Sequence, residues 1–193
     1  MKIPYIPEDA PFNGEQKFWL AGFLAGLHSR LLVLEDKPQA GASAGAATTT
    51  QLHILFGSQT GNAEALAQSA AKAARAKGLV PVVQGLGEVD IDVFATMRHV
   101  LIITSTDGEG EMPDNAELFW QALSASTAPR LEQMHFAILA IGDTGYDGFC
   151  QAGKFFDMRL EQLGAKRVSD RIDCDIDYEE PAGEWIASSM PQF

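Results

Sequence analysis

The sequence predicts a doubly wound α/β fold with a parallel sheet, and three observations predict it. Strand-like and helix-like segments alternate from Leu52 to Ser188 as five β-α units. The stretch H-V-L-I-I-T at His99–Thr104 is almost continuously apolar, the pattern of a strand covered on both faces. Three loops that would leave strand ends are rich in glycine and side-chain oxygen. In such a sheet ligands bind beyond the carboxyl ends of the strands, where strand order reverses.

Taken in order, Leu52–Phe56 reads as the first strand and Ala63–Lys77 as an alanine-rich helix stopped by Gly78. Leu79–Val83 is the second strand, followed by a short helix around Ile91–Ala95. His99–Thr104 is the third strand, and Asn115–Ser124 a helix. His135–Ile141 is the fourth strand, and Phe149–Leu163 a helix stopped by Gly164. Lys166–Val168 opens a weaker fifth strand region, and Glu179–Ser188 is the last helix.

The first 50 residues read differently. Residues 1–11 hold three prolines and should be extended. Asn13 with Gln16 forms a capping-box pattern, and Phe18, Trp19, Phe23, Leu24, Leu27 and Leu31 line one broad helical face. Periodicity shows that this face is covered but not by what, so its own domain and a partner both stay open. Lys37–Thr50 is small and polar, a linker spanning about 20 Å if flexible. The expected division is an extension over 1–36, a linker over 37–50 and one domain over 51–193.

The 193 residues carry 14 Lys and Arg against 26 Asp and Glu, a net charge of −12. Such a field disfavours nucleic acid and anionic membranes and favours a basic partner. Cys150 and Cys174 are too few for a disulfide framework and match no metal-ligand spacing. The longest apolar run, Phe18–Leu27, is half of what a membrane helix needs, and acids rather than bases precede it. A cytoplasmic location is expected.

The first loop is Ser58-Gln59-Thr60-Gly61-Asn62, followed by Ala63. It has no Lys or Arg, so a phosphate would be held by the hydroxyls of Ser58 and Thr60, the Asn62 amide and backbone N–H groups at a helix start. The second, Ser105-Thr106-Asp107-Gly108-Glu109-Gly110-Glu111, has backbone suited to meeting a flat ligand edge. Its acids invite a calcium reading, but the glycine an EF-hand needs at its sixth position is missing. The third is Ile141-Gly142-Asp143-Thr144-Gly145-Tyr146-Asp147-Gly148-Phe149-Cys150. Tyr146 suits stacking on a planar ring, although a loop-anchoring role is equally open.

Several signatures fail. Gly148-x4-Gly153-Lys154 mimics a P-loop, but Phe155 stands where Ser or Thr must reach magnesium. Gly85-Leu86-Gly87 lacks the third glycine of a dinucleotide fingerprint. His53, His99 and His135 fall at strand beginnings, away from the loops, so Ser-His-Asp chemistry has no support, and neither a catalytic side chain nor a metal site is expected.

With these loops in view, the chain resembles the FMN-binding, flavodoxin-like domain of diflavin reductases, and most of all the flavoproteins of bacterial NADPH–sulfite reductases. The resembling stretches are F-G-S-Q-T-G-N-A-E, T-S-T-D-G-E-G-E-M-P-D-N-A, I-G-D-T-G-Y-D-G-F-C-Q-A-G-K-F-F-D-M-R-L-E-Q-L-G-A and D-R-I-D-C-D-I-D-Y-E-E, spread over about residues 52–188. The resemblance implies a sheet of order 2-1-3-4-5 and FMN at its loop end. The phosphate would sit in the Ser58–Ala63 loop, with the ring between Ser105–Gly110 and Ile141–Cys150. Tyr146 would stack on the ring, and backbone near Gly108 would meet the flavin N5.

It further implies electrons arriving from an FAD/NADPH-binding reductase module, in the same longer chain or a separate subunit, and leaving to a haem or metal reductase. The acceptor would be of sulfite-reductase type, with nitrate reductase or another haemoprotein open. The chain alone would then be an electron carrier, the FMN-containing part of an NADPH-dependent oxidoreductase. A quinone or azo reductase working directly on bound FMN is the alternative.

Departures from the family pattern are Asp107, where some relatives carry an aromatic, and Gly148, where a bulky residue is common, which suggests a looser ring pocket. Asp107, Glu109, Asp143, Asp147, Asp173 and Asp175 crowd the implied flavin with no Lys or Arg in the loops. That predicts a low flavin reduction potential and steering of a basic redox partner. A receiver-type signalling module is disfavoured, since Ser58 and Ser105 stand where its acids are required.

Overall fold

The computed structural model describes residues 50–58 and 60–193. The expected amino-terminal helix, most of the linker, and Gln59 lie outside the described residues. The elements are β1 (Gln51–Gly57), α1 (Asn62–Ala76), β2 (Val80–Gly85), α2 (Ile91–Phe94), β3 (His99–Ser105), α3 (Asp114–Ser124), β4 (His135–Ile141), α4 (Gln151–Gln162), β5 (Lys166–Arg167), β6 (Ile172–Cys174) and α5 (Glu179–Ser189). Single 3-10 turns lie at Leu86–Glu88 and Met190–Gln192.

All strand pairs are parallel and the order is β2-β1-β3-β4-β5, with β6 also pairing with β4. The fifth position is therefore shared by two short segments. β5 pairs at His135–Lys166 and Phe136–Arg167, and β6 at Leu139–Ile172 through Ile141–Cys174. The opposite edge, β2, carries Pro81 opposite Leu52.

Side chains alternate across a strand, and β3 shows why its sequence is apolar throughout. Val100 and Ile102 enter one core with Leu55, Phe94, Phe119, Phe136 and Phe156, beneath α2, α3 and α4. Leu101 and Ile103 enter a second core with Ile54, Leu139 and Ile186, beneath α1 and α5. In α1, Ala63, Ala67, Ala70, Ala71 and Ala74 are fully buried, so the helix lies close to the sheet. Gly78, at φ +82, ends it, and the Leu79 N–H turns back to Ala74 O at 3.0 Å. Gly164, at φ +96, ends α4 the same way.

This architecture brings the ends of β1, β3 and β4, with the loops that follow them, to one end of the sheet. His53, His99 and His135 go to the other, where His99 and His135 stand side by side at the starts of β3 and β4.

Candidate functional site

β1 runs out at Gly57, where a Cβ would lie only 2.9 Å from Thr104 Oγ1 of the neighbouring strand. The Ser58 N–H then donates to Asn115 Oδ1 at 2.8 Å. Gly61, at φ +89, turns the chain into α1, and its N–H donates to Ser58 Oγ at 2.9 Å. The Ser58 hydroxyl accepts there and keeps its own hydrogen to donate. No side chain caps α1, and its first helical bond runs from Ala65 N–H to Gly61 O. The earlier amides have no helical partner, which leaves an anion seat at the positive end of a 15-residue helix.

The second loop is a closed turn. Asp107 and Glu111 exchange both backbone hydrogen bonds, at 3.0 and 2.8 Å, and Gly110 N–H adds a third to Asp107 O. Gly108 and Gly110 take φ of +48 and +132, and the Glu111 carboxylate fills the space where a side chain at 108 would stand. Two bonds fasten this loop to the third. Thr106 N–H donates to Ile141 O at 3.0 Å, and Thr106 Oγ1 accepts from Ala152 N–H at the start of α4, at 3.2 Å.

The third loop is pinned at its base by Gly142 N–H donating to Cys174 O at 2.9 Å. Asp143 Oδ1 accepts from Gly145 N–H at 2.7 Å, and Asp143 O from Tyr146 N–H at 3.2 Å. The Thr144 backbone and hydroxyl are both held by Asp175. Tyr146 is left half exposed, at 50%.

Between the loops lies an open cleft of about 290 Å³. Thr60 and Asn62 line its phosphate-like end, Ser105 to Gly108 one side, and Ile141, Gly142, Asp143, Tyr146, Gly148 and Phe149 the other. Twelve of the residues singled out in the sequence thus meet in one place. Thr144, Gly145 and Asp147 shape the third loop without lining the cleft, as Ser58 and Gly61 shape the first. Ala63 is fully buried against the sheet, so its methyl group does not line the cleft.

Cys150 is a correction. It is fully buried, at φ +54, and its thiol donates to Cys174 O at 3.6 Å rather than entering the cleft. Burial, with Asp173 nearby, pushes its pKa up to about 12.

Two further expectations change. The loops carry no Lys or Arg, but from outside them Arg171 grips Asp173 at 2.7 and 3.1 Å and reaches Asp157 at 2.7 Å. Lys154 Nζ, on α4, donates to Phe149 O at 2.6 Å and lies 5.5 Å over the Phe149 ring. The net negative field at the cleft is therefore smaller than the sequence implied. A looser pocket beside Gly148 is not found either, because the backbone of Glu109 and Gly110 occupies that space.

Sequence reasoning missed Asn115, on α3, which holds the first loop, and it counted Asp175 only as a nearby charge, not as the group that holds Thr144. Both fall inside the quoted motifs, but only the fold shows what they hold. A second hollow, of about 460 Å³, lies at the opposite end of the sheet near His53, Arg98 and His99. It faces the amino ends of the strands, away from the loops. Among the described residues there is no group of three or more metal-ligating side chains, and no helix long and apolar enough to cross a membrane.

The flavodoxin family profile matches residues 54–185, from within β1 to within α5. The chain belongs to the flavodoxin family. It is 44% identical over 174 residues to the sulfite reductase [NADPH] flavoprotein alpha-component of Bacillus subtilis, covering 89% of this chain and 29% of that protein. It is 38% identical to the protein of the same name from Shewanella sp. strain ANA-3, covering 94% and 30%. The chain thus spans less than a third of the length of the curated relatives it matches. Among solved structures it resembles a Streptococcus pneumoniae flavodoxin at TM-score 0.67 and 30% identity, covering 74% of this chain and 97% of that one. A Pseudomonas aeruginosa flavodoxin variant gives TM-score 0.66 at 26% identity, covering 74% and 98%.

Flavodoxins bind FMN, and electron transfer through FMN is the family's function. The residues present fit that group. An uncapped helix start with hydroxyl and amide donors and no cation suits one terminal phosphate. The adjoining cleft, walled by turn backbone on one side and a half-exposed tyrosine on the other, suits a flat ring.

Proposed function

We propose that this domain relays electrons from an NADPH/FAD reductase module to a haem or metal reductase of the sulfite-reductase kind. In this reading residues 51–193 form the FMN-binding domain. Thr60, Asn62 and the free amides at the start of α1 seat the phosphate. Ser105–Gly108 and Ile141–Phe149 flank the ring, and Tyr146 stacks on it. When bound, FMN supplies the one-electron redox chemistry. The chain's residues orient it, limit water at one ring face and present its edge to a partner.

The observation that carries the reading is the joining of a cation-free phosphate seat to a flat slot in a single cleft. The names of the relatives, flavoprotein components of an NADPH-dependent sulfite reductase, support the direction of flow. The mouth also supports it. Tyr146 and Ile176, 50% and 64% exposed, stand among Asp143, Asp147, Asp175 and Asp177, a surface suited to a basic partner with a small apolar centre.

The test has two stages. Purified chain mixed with FMN should bind it and quench its fluorescence, and riboflavin, lacking the phosphate, should bind more weakly. The loaded protein should then accept electrons from an FAD-containing NADPH reductase at a rate that falls with rising salt. Failure to bind FMN rejects the reading. Steady quinone turnover by the loaded chain with NADPH alone would favour direct reduction of a small molecule.

A further inference from the structure

Gly148 has no side chain where the second and third loops meet. A Cβ built there would fall on the Glu109 carbonyl oxygen and within 2.6 Å of both Glu109 C and Gly110 Cα. The two loops are therefore in backbone-to-backbone contact, which only a bare Cα permits at this position. Gly110 completes the contact from the other side, 3.4 Å from Gly148 Cα and from Gln151 Cβ measured at its own would-be Cβ.

The two partners differ in freedom. The third loop is fastened below by Gly142 to Cys174 and beside by Thr144 to Asp175. The second is a closed turn whose Asp107 and Glu111 ends are bonded to each other, and Thr106 fastens its base to Ile141 and Ala152, so the turn pivots as one body on that base. Anything that pushes on Glu109 and Gly110 therefore tilts the whole turn, including Asp107 and Gly108 on the cleft side.

We propose that Gly148 is a positioning residue for the flavin ring: its bare Cα seats the Asp107–Glu111 turn on the Tyr146 loop and so sets the spacing of the two walls of the cleft. The inference rests on the reading of this cleft as the FMN site. A methyl group at 148 requires the turn to back off by about 1 Å to restore ordinary contact. That movement is enough to change the fit of a rigid planar ligand.

The test compares G148A, Q151A and G183A with the parent chain. Readouts are the FMN dissociation constant, the visible circular dichroism of the bound flavin and its first reduction potential. G148A should raise the dissociation constant at least about tenfold and alter the visible dichroism and the potential, since the cleft walls move. Q151A, which trims the side chain packed beside Gly110 back to its Cβ without adding volume, should give a rise of about twofold to fivefold. G183A, in open space on α5, should change none of these.

A parent chain that takes up no FMN overturns the functional reading, and this inference with it. A parent that binds while G148A matches it within about twofold, with an unchanged flavin spectrum, overturns this inference alone. Should G148A not fold, Q151A decides, and parent-like binding and dichroism there count against the proposal.

Discussion

Asp175 accepts two hydrogen bonds from Thr144, from the backbone N–H at 3.1 Å and from the hydroxyl at 2.6 Å, and a third from Ile176 N–H at 2.8 Å. One carboxylate, beyond the end of β6, thus holds the middle of the loop that carries Tyr146. The bonds are exposed to water, so their effect is on the loop's population of one shape more than on global stability. Replacing Asp175 by Ala should raise the FMN dissociation constant about threefold to tenfold and leave the unfolding midpoint nearly unchanged. Thr144→Val should reproduce part of that loss, and the double variant should show the two are not additive. The Thr144 hydroxyl, then the two backbone donors, hold the Asp175 carboxyl below its ordinary 3.8. The clamp should therefore persist through mild acid and release only as pH falls below that value. Parent-like affinity in both variants would refute the clamp.

Asp157 is a deeper anchor. Its carboxylate, on α4 and 11% exposed, takes Arg167 Nε at 2.8 Å and Arg171 at 2.7 Å, tying α4 to β5 and to the residue that leads into β6. Removing one partner of such a group costs about 3–5 kcal/mol when the rest stays buried. Here the arginines, 28% and 23% exposed, can turn partly to solvent, so Asp157→Asn should cost about 2–3 kcal/mol. Urea and thermal unfolding would measure it, and a loss under about 0.5 kcal/mol would mean the network is incidental.

His53 and His99 set an acid limit. Burial lowers the pKa of both from 6.5, and His135 and Arg98 lower His99 further. The Nδ1 atoms of both are buried without a hydrogen-bond partner. A folded-state pKa below the unfolded one means the unfolded chain takes up protons first as pH falls. Their contribution is therefore complete above about pH 6.5 and declines below it. The thermal midpoint should drop through this range, and His53→Gln with His99→Gln should flatten that slope. A slope unchanged in the double variant would assign the acid limit to other groups.

Cys150 should be inert. Its thiol is buried and, with a pKa of about 12, carries essentially no thiolate at neutral pH. Iodoacetamide at pH 8 should leave Cys150 unmodified in the native protein and label it in urea, as mass spectrometry would report. Rapid native labelling would show that the helix start at Gln151 opens readily.

Much of this was legible in the sequence, because the signals were local. The uninterrupted apolar runs of β3 and β4 announce strands covered on both faces, and the glycines at 78 and 164 mark helix ends. Boundaries moved by one or two residues where caps decide them: Gly61 starts α1 at Asn62, and Cys150, in a left-handed conformation, delays α4 to Gln151. What could not be read depends on contacts across the fold. The fifth strand splits because Lys166–Arg167 and Ile172–Cys174 find different stretches of β4, and nothing between them announces the break. The pairing of Arg171 with Asp173 depends on two side chains leaning the same way at an edge. The close approach at Gly148 involves residues 38 and 39 positions away, Gly110 and Glu109, and no spacing rule reports it.

The split edge has a consequence for how this molecule associates. An exposed sheet margin is an invitation to another chain, which can add itself as one more strand. On one side the invitation is withdrawn by brevity, with two paired residues in β5 and three in β6, guarded by Lys166, Arg167 and Arg171. On the other, Pro81 takes a donor out of β2. Both margins of the described sheet are thus poor templates for strand addition, and the loop rim, with its half-exposed Tyr146, offers contact of a different kind. A partner meeting that rim can come and go quickly, because no backbone zipper holds it.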